Sequence, residues 1–266
     1  MPILLDLNDR TYNEQLENAM RKIWPFSFYF LYFAAMASLL PFLVIFYQSL
    51  GFNGTEIGLL TGIPPLITLF GAPLGTRLAD STHRHGLIMG SGLLVAVAVT
   101  ILLPGVRSFI LVFELIILFN IFMSPVASLS DSATITMLGA QRAMYGRIRM
   151  GGTLGWGIFA LIAGALVENF GLQIAFRLFS VIMFINFLVS LKFHFGEKSG
   201  QTSDAGGMRS LLRRRRWIVF LSRAFLGGVG AFSVASYLYP YLAELGAGET
   251  TMGMAAMIAT ITELPV

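Results

Sequence analysis

Long apolar stretches constrain what this chain can fold into more than any other feature of its sequence. Eight of them follow one another, each 15 to 26 residues long and carrying few charges. A bilayer core about 30 Å thick needs about 20 residues of helix to cross it, and these stretches lack the alternating period of β-barrel strands. We therefore predict an all-α membrane protein. The predicted spans are 23–47, 57–76, 87–103, 109–131, 149–167, 174–193, 217–242 and 252–266.

The composition excludes several classes of protein. Hydrophobic residues make up 56% of the chain and charged residues 12%, whereas soluble domains average about 45–50% and about 25%. The absence of cysteine excludes disulfides and thiolate metal sites, and three histidines leave little for a zinc site. The sequence has no HExxH, nucleophile-elbow or P-loop motif. We predict a protein that is not an enzyme and that uses no metal and no cofactor.

The positive charges predict the orientation in the membrane. Of the 18 Lys and Arg residues, 16 fall on one side of the predicted spans, and only Arg107 and Arg177 fall on the other. Because these residues accumulate in cytoplasmic loops, we predict a multi-pass protein of the cell (inner) membrane with a cytoplasmic N-terminus. The formal charge of +4 then reflects topology and does not indicate nucleic-acid binding. The run Arg213–Arg216 is either a topology anchor near anionic lipid or a regulatory or partner site.

The spacing of the spans predicts two helical halves joined by a linker. Six closely spaced spans are followed by a basic, polar segment and then by further spans, which is typical of a domain boundary. The predicted parts are a cytoplasmic N-terminal segment (1–22), a six-helix bundle (23–193), a basic cytoplasmic linker (194–216) and a partial second bundle (217–266).

A loose internal repeat supports this division. Leu50–Gly58 recurs as Leu245–Gly253, and each copy follows an aromatic-rich span with a proline near its end, Pro41 or Pro240. Internal repeats of this kind are typical of secondary transporters. The last span has 15 residues and covers only about 22 Å of the bilayer. We expect a C-terminally truncated two-half protein that lacks about four helices and is a monomer when full length.

One motif resembles a known family. The stretch Tyr145–Trp156, which reads YGRIRMGGTLGW, is similar to the start of the fifth helix in the lactose permease group of the major facilitator superfamily. The resemblance implies the fold of that superfamily, with a complete first bundle and two helices of the second. It also implies secondary active transport by alternating access, in which a proton gradient drives symport of a small organic solute such as a sugar, nucleoside or aryl acid.

Two other functions remain open. One is efflux by proton antiport, although the fifth span lacks the Gly-x-x-x-Gly-Pro-x-x-Gly signature of many antiporters. The other is a membrane receptor or assembly subunit that transports nothing.

The loop after the second span keeps two residues of the superfamily's gating loop, Asp80 and Arg84, while Thr76 and Ser81 replace its glycine and its first basic residue.

Charges within the spans are the candidate functional residues, because each costs about 2.5–3.5 kcal/mol to insert. Asp131 lies near the end of the fourth span, and Arg147 and Arg149 lie near the start of the fifth. Connected antiparallel helices bring these ends together. Asp131 and Arg149 therefore form either the polar part of a solute site, where the guanidinium binds bidentately, or a structural salt bridge.

Three further expectations concern the spans. Trp156 lies two turns beyond Arg149 on the same helix face, where it either stacks on a solute ring or packs against neighbouring helices. Glu263, in an apolar setting, is expected to bind solute or exchange a proton, or else to pair with a charge in the helices that the truncated chain is expected to lack. The aromatic residues of the first span, Tyr29 and Phe33 among them, are expected to face lipid or to pack, with contact to a ligand as the alternative.

Overall fold

The computed structural model describes residues 22–196 and 214–263 of the chain. Most of the predicted N-terminal segment and linker, including Arg213, lies outside the described residues. The described part is almost entirely helical. Its α-helices are α1 (Lys22–Ser49), α2 (Gly54–Thr82), α3 (His85–Leu102), α4 (Phe109–Met123), α5 (Val126–Leu138), α6 (Tyr145–Phe170), α7 (Gln173–Ser190), α8 (Arg215–Glu244) and α9 (Glu249–Glu263).

Each of the eight predicted spans corresponds to helix within the described residues, which end at Glu263 in the eighth span. The fourth span differs in being divided, because α4 ends at Met123 and α5 begins at Val126. Pro125 lies between them and cannot donate a backbone hydrogen bond. Six helical runs within the described ranges are long and apolar enough to cross a membrane. One of them, Phe109–Phe170, is 62 residues long and contains the predicted fourth and fifth spans.

The repeated segment has the same backbone conformation in both copies. Gly51 has φ 82° just after α1, and Gly246 has φ 80° just after α8. Positive φ at the end of a helix is the conformation that glycine adopts at least cost. The Leu-Gly pair shared by the two copies therefore marks equivalent turns, one before α2 and one before α9. This equivalence supports the assignment of α8 and α9 as a second copy of α1 and α2.

The two copies differ in how the next helix is capped. Asn53 accepts a hydrogen bond from the backbone N–H of Glu56 at 3.0 Å, and its own N–H donates to the Glu56 carboxylate at 2.8 Å. In the second copy Gly248 stands where Asn53 stands in the first and has no side chain to accept. The acceptor comes from α6 instead, because Glu168 Oε2 accepts from the backbone N–H of Thr250 at 2.8 Å.

Glycines allow α6 to pack closely on its neighbours. A Cβ atom at Gly155 would overlap the backbone carbonyl of Phe30 in α1. A Cβ at Gly164 would overlap the carbonyl of Glu249, and one at Gly253 would overlap the carbonyl of Ala160. Small residues at such contacts let the backbones of membrane helices approach each other. α6 is therefore in direct contact with α1 of the first half and α9 of the second.

The contact at Gly155 predicts a stability effect. Gly155→Ala should lower the free energy of unfolding by about 1–3 kcal/mol, because the new methyl group forces α6 away from α1. Gly146→Ala, in the same helix with no atom within 4 Å of the new Cβ, should be neutral or stabilise by up to about 1 kcal/mol. Unfolding in detergent, followed by circular dichroism, measures both. Equal effects of the two substitutions would contradict the close contact.

Candidate functional site

A cavity of about 400 Å³ lies between helices of the two halves. Its walls come from α1 and α6 on one side and from α8 and α9 on the other. The volume falls within the range of about 300–1,000 Å³ that is typical of small-molecule sites. The lining residues are Phe33, Pro41, Arg149, Gly152, Thr153, Trp156, Leu238, Tyr239, Ala256, Ala259 and Thr260.

Asp131 and Arg149 form the predicted pair at the edge of this cavity. Arg149 Nη1 lies 3.4 Å from Asp131 Oδ2. The contact joins α5 to α6, as expected for the connected ends of antiparallel helices. It uses one guanidinium nitrogen and one carboxylate oxygen at a long distance, and about half of the Arg149 side chain (52%) remains exposed. The pair therefore leaves part of the guanidinium facing open space.

Two tyrosines extend this pair into a chain of hydrogen bonds. Tyr29 of α1 donates its hydroxyl proton to Asp131 Oδ1 at 2.6 Å. Arg149 Nη1 donates to the Tyr145 hydroxyl at 2.9 Å. The carboxylate and the guanidinium are each hydrogen-bonded to a phenol. The hydrogen bonds therefore connect the four residues in the order Tyr29, Asp131, Arg149, Tyr145.

The sequence analysis missed both tyrosines as members of the site. Tyr29 belongs to a run of aromatic residues in the first span, and nothing in that run distinguishes it. Its side chain is buried, with 3% exposed, and it does not face lipid. The contact of Tyr145 with Arg149 could have been predicted, since Tyr145 lies four residues before Arg149 and therefore on the same face of α6.

The other candidate residues are placed as follows. Trp156 lines the cavity together with Arg149, so both residues lie on the face of α6 that borders it. Arg147 is exposed and lies away from the cavity lining, because two residues along a helix correspond to a rotation of about 200°. Its inclusion beside Arg149 as a solute-binding candidate is therefore not supported by the geometry. Glu263 is the last residue described in α9, and its side chain lies outside the described part of the structure.

The predicted gating loop contains a contact that the sequence analysis did not include. Asp80 Oδ1 lies 2.9 Å from His85 Nε2. The His85 ring stacks on Phe195, with ring centroids 5.5 Å apart. Arg84 is exposed and occupies the position just before α3. The loop between α2 and α3 is thus connected through His85 to the segment that follows α7.

Paired helical halves with a cavity between them define a multi-pass membrane protein of the major facilitator type. The chain belongs to the MFS_1 like family, whose model matches residues 23–266. This agrees with the resemblance carried by Tyr145–Trp156.

Similar proteins are transporters by name. The chain is 27% identical over 251 residues to "Maltose permease" of Geobacillus stearothermophilus, covering 93% of this chain and 63% of that protein. It is 26% identical to "Multidrug resistance protein MdtG" of Dickeya zeae (strain Ech586), and the match covers 87% of this chain and 59% of that protein. The crystal structure of the nucleoside transporter NupG matches this chain with a TM-score of 0.76 at 16% sequence identity. The match covers 92% of this chain and 64% of the NupG chain. The chain thus spans about six-tenths of the length of each.

The Tyr29–Asp131 hydrogen bond predicts energetic coupling between two distant sequence positions. In a double-mutant cycle, Tyr29→Phe and Asp131→Asn should show a coupling of about 1–2 kcal/mol in the free energy of unfolding, because the bond is short and its acceptor is charged. The control cycle combines Asp131→Asn with Tyr47→Phe. Tyr47 is another buried tyrosine of α1, 18 residues beyond Tyr29 and about 27 Å away along the helix. Additivity in both cycles would show that the bond does not form.

Proposed function

We propose that the chain forms the solute-binding part of a secondary active transporter that works by alternating access. The observation that carries this proposal is the cavity itself, since it lies between the two halves and is lined by both. A solute bound there contacts two bodies whose relative movement can expose it to one side of the membrane or the other. The names of the similar proteins support the same activity.

The charges at the edge of the cavity favour a neutral, hydroxylated solute. Asp131 and Arg149 cancel each other in formal charge, and the carboxylate would repel an anionic solute bound beside the guanidinium. The exposed part of Arg149 and the Asp131 carboxylate together offer donors and acceptors, which suits hydroxyl groups. Trp156 and Phe33 provide ring faces for an apolar or planar surface. Among the expected solutes, a sugar or a nucleoside fits these features better than an aryl acid.

The contact between α6 and α9 supports alternating access. At the end of the bundle where α6 ends and α9 begins, the backbones touch near Gly164, and Glu168 caps α9. By the charge distribution of the loops this is the outer end, so the cavity is closed toward the outside. Transport then requires these contacts to separate and reform. Proton coupling, with Glu263 as a candidate for the proton-exchanging group, is part of the same proposal.

Efflux by proton antiport is a second candidate, favoured by the similarity to MdtG. The two functions differ in the direction of solute flux under an imposed pH gradient. In liposomes loaded with maltose or uridine, symport releases the solute when the interior is the more acidic side, whereas antiport releases it when the exterior is more acidic. A protein that binds solute but gives no flux under either gradient would be a receptor or assembly subunit.

Arg149 provides the test of the cavity as the solute site. Arg149→Lys should weaken binding of maltose or uridine at least about tenfold, because lysine cannot make the planar, forked set of hydrogen bonds. Arg147→Lys is the matched control, since Arg147 is exposed and lies off the cavity, and it should bind like the unmodified protein. Calorimetry on protein in detergent measures both. Normal binding and flux by Arg149→Lys would overturn the assignment.

A further inference from the structure

Glu168 lies in the last turn of α6, which ends at Phe170. A carboxylate in that position is unfavourable for α6 itself, because the C-terminus of a helix carries partial negative charge. Its hydrogen bond is made to the other half instead, where Oε2 accepts from the backbone N–H of Thr250 at 2.8 Å. Glu168 is therefore placed to serve α9 of the second half and not the helix that carries it.

The start of α9 depends on this contact. Gly248 is its N-cap residue, since the Gly248 carbonyl accepts from the N–H of Met252 at 3.2 Å, as the Asn53 carbonyl accepts from Ile57 at 3.0 Å in the first copy of the repeat. The first N–H groups of a helix have no partner within the helix. Asn53 supplies an acceptor from its own side chain, whereas Gly248 has none to offer. Glu168 supplies it from the other half.

Glycine at position 248 also makes room for the carboxylate. A Cβ atom there would lie 3.0 Å from Glu168 Oε2, so an asparagine like that of the first copy does not fit beside it. A local cap and a cap from Glu168 therefore exclude each other. This chain has the arrangement in which α9 is completed only by the other half.

We infer that Glu168 is the positioning residue that holds the outer ends of the two halves closed. When the halves separate there, the Thr250 N–H loses its acceptor and the carboxylate loses its donor. The closed state alone has this charge-assisted hydrogen bond. Its removal shifts the equilibrium toward the state open to the outside by at least about fivefold, the effect of losing one helix cap. This inference rests on the proposed function, since it assigns a residue to one state of the alternating-access cycle.

The experiment measures how fast a cysteine inside the cavity reacts with a membrane-impermeant maleimide added to the outer face of spheroplasts that express the protein. Ala259→Cys is the reporter, because Ala259 lines the cavity and the chain has no cysteine of its own. Glu168→Ala in this background should raise the rate at least about fivefold, and Glu168→Gln, which keeps an acceptor without the charge, should raise it less. Glu114→Ala is the matched control, since Glu114 is an exposed carboxylate of α4 in the first half, and it should leave the rate unchanged.

A second pair of variants separates closure of the halves from simple helix capping. Glu168→Ala combined with Gly248→Asn gives α9 the local cap of the first copy, with no carboxylate to collide with. The melting temperature lost in Glu168→Ala should recover while the reaction rate stays high, because the contact between the halves is still missing. Recovery of both would show that Glu168 only stabilises α9 and would overturn the inference.

Gly248→Ala tests the same contact with Glu168 in place, and it decides if Glu168→Ala does not fold. The added methyl group displaces the carboxylate and supplies no acceptor, so the reaction rate should again rise. An unchanged rate in this variant would count against the inference.

Failure of the inference and failure of the proposed function are distinguishable. Equal rates in the reporter protein and in its Glu168→Ala variant refute the role of Glu168 and leave alternating access intact. If no variant reacts from the outer face, although the same cysteine reacts fully after denaturation, the cavity never opens outward. That result refutes alternating access, and the inference falls with it.

Discussion

The contact of α6 with α9 holds the two halves of the described structure together and thereby creates the cavity. The contact depends on glycine on both sides, since Gly164 touches the carbonyl of Glu249 and Gly253 touches that of Ala160. Lipid provides little hydrophobic force between membrane helices, so close backbone packing and hydrogen bonds must supply the attraction. Any larger side chain at these positions would separate the helices and open the cavity to the surrounding membrane.

Glu168 adds specificity to this contact. In the first copy of the repeat, Asn53 caps α2 from within its own segment, whereas in the second copy Gly248 leaves α9 without a local acceptor. The carboxylate of Glu168 takes that role from the other half. The end of a helix is thereby completed only when the two halves are together, which couples local helix capping to the arrangement of the whole molecule. A carboxylate is well suited there because the helix N-terminus carries partial positive charge.

The polar residues of the cavity illustrate how a membrane protein accommodates charge. Asp131 and Arg149 offset each other's cost of insertion, and Tyr29 and Tyr145 satisfy further hydrogen-bonding positions on each. The exposed part of Arg149 is what this network leaves free.

The sequence alone predicted the helices well, because their apolar stretches must satisfy their own backbone hydrogen bonds in lipid. The pairing of Asp131 with Arg149 was also predictable, since charges are rare in spans and the two positions lie on connected helices. Arg147 was placed with them by proximity in sequence, and helix rotation turns it away. Tyr29 was not predictable, because its role depends on a hydrogen bond between helices far apart in the chain. Hydropathy treats a tyrosine as apolar whether or not its hydroxyl has a partner.

In the proposed transport cycle, the α6–α9 contact is one state of a two-state movement between the halves. Because the chain has no cysteine, spin labels on Asn169→Cys and Leu245→Cys report the distance between the C-terminal ends of α6 and α8, and a pair on Asn169→Cys and Arg107→Cys reports distances within the first half. Alternating access predicts two populated distances for the first pair, whose ratio shifts when maltose or uridine is added in lipid nanodiscs, and one unchanged distance for the second. A single distance for the first pair under all conditions would contradict it.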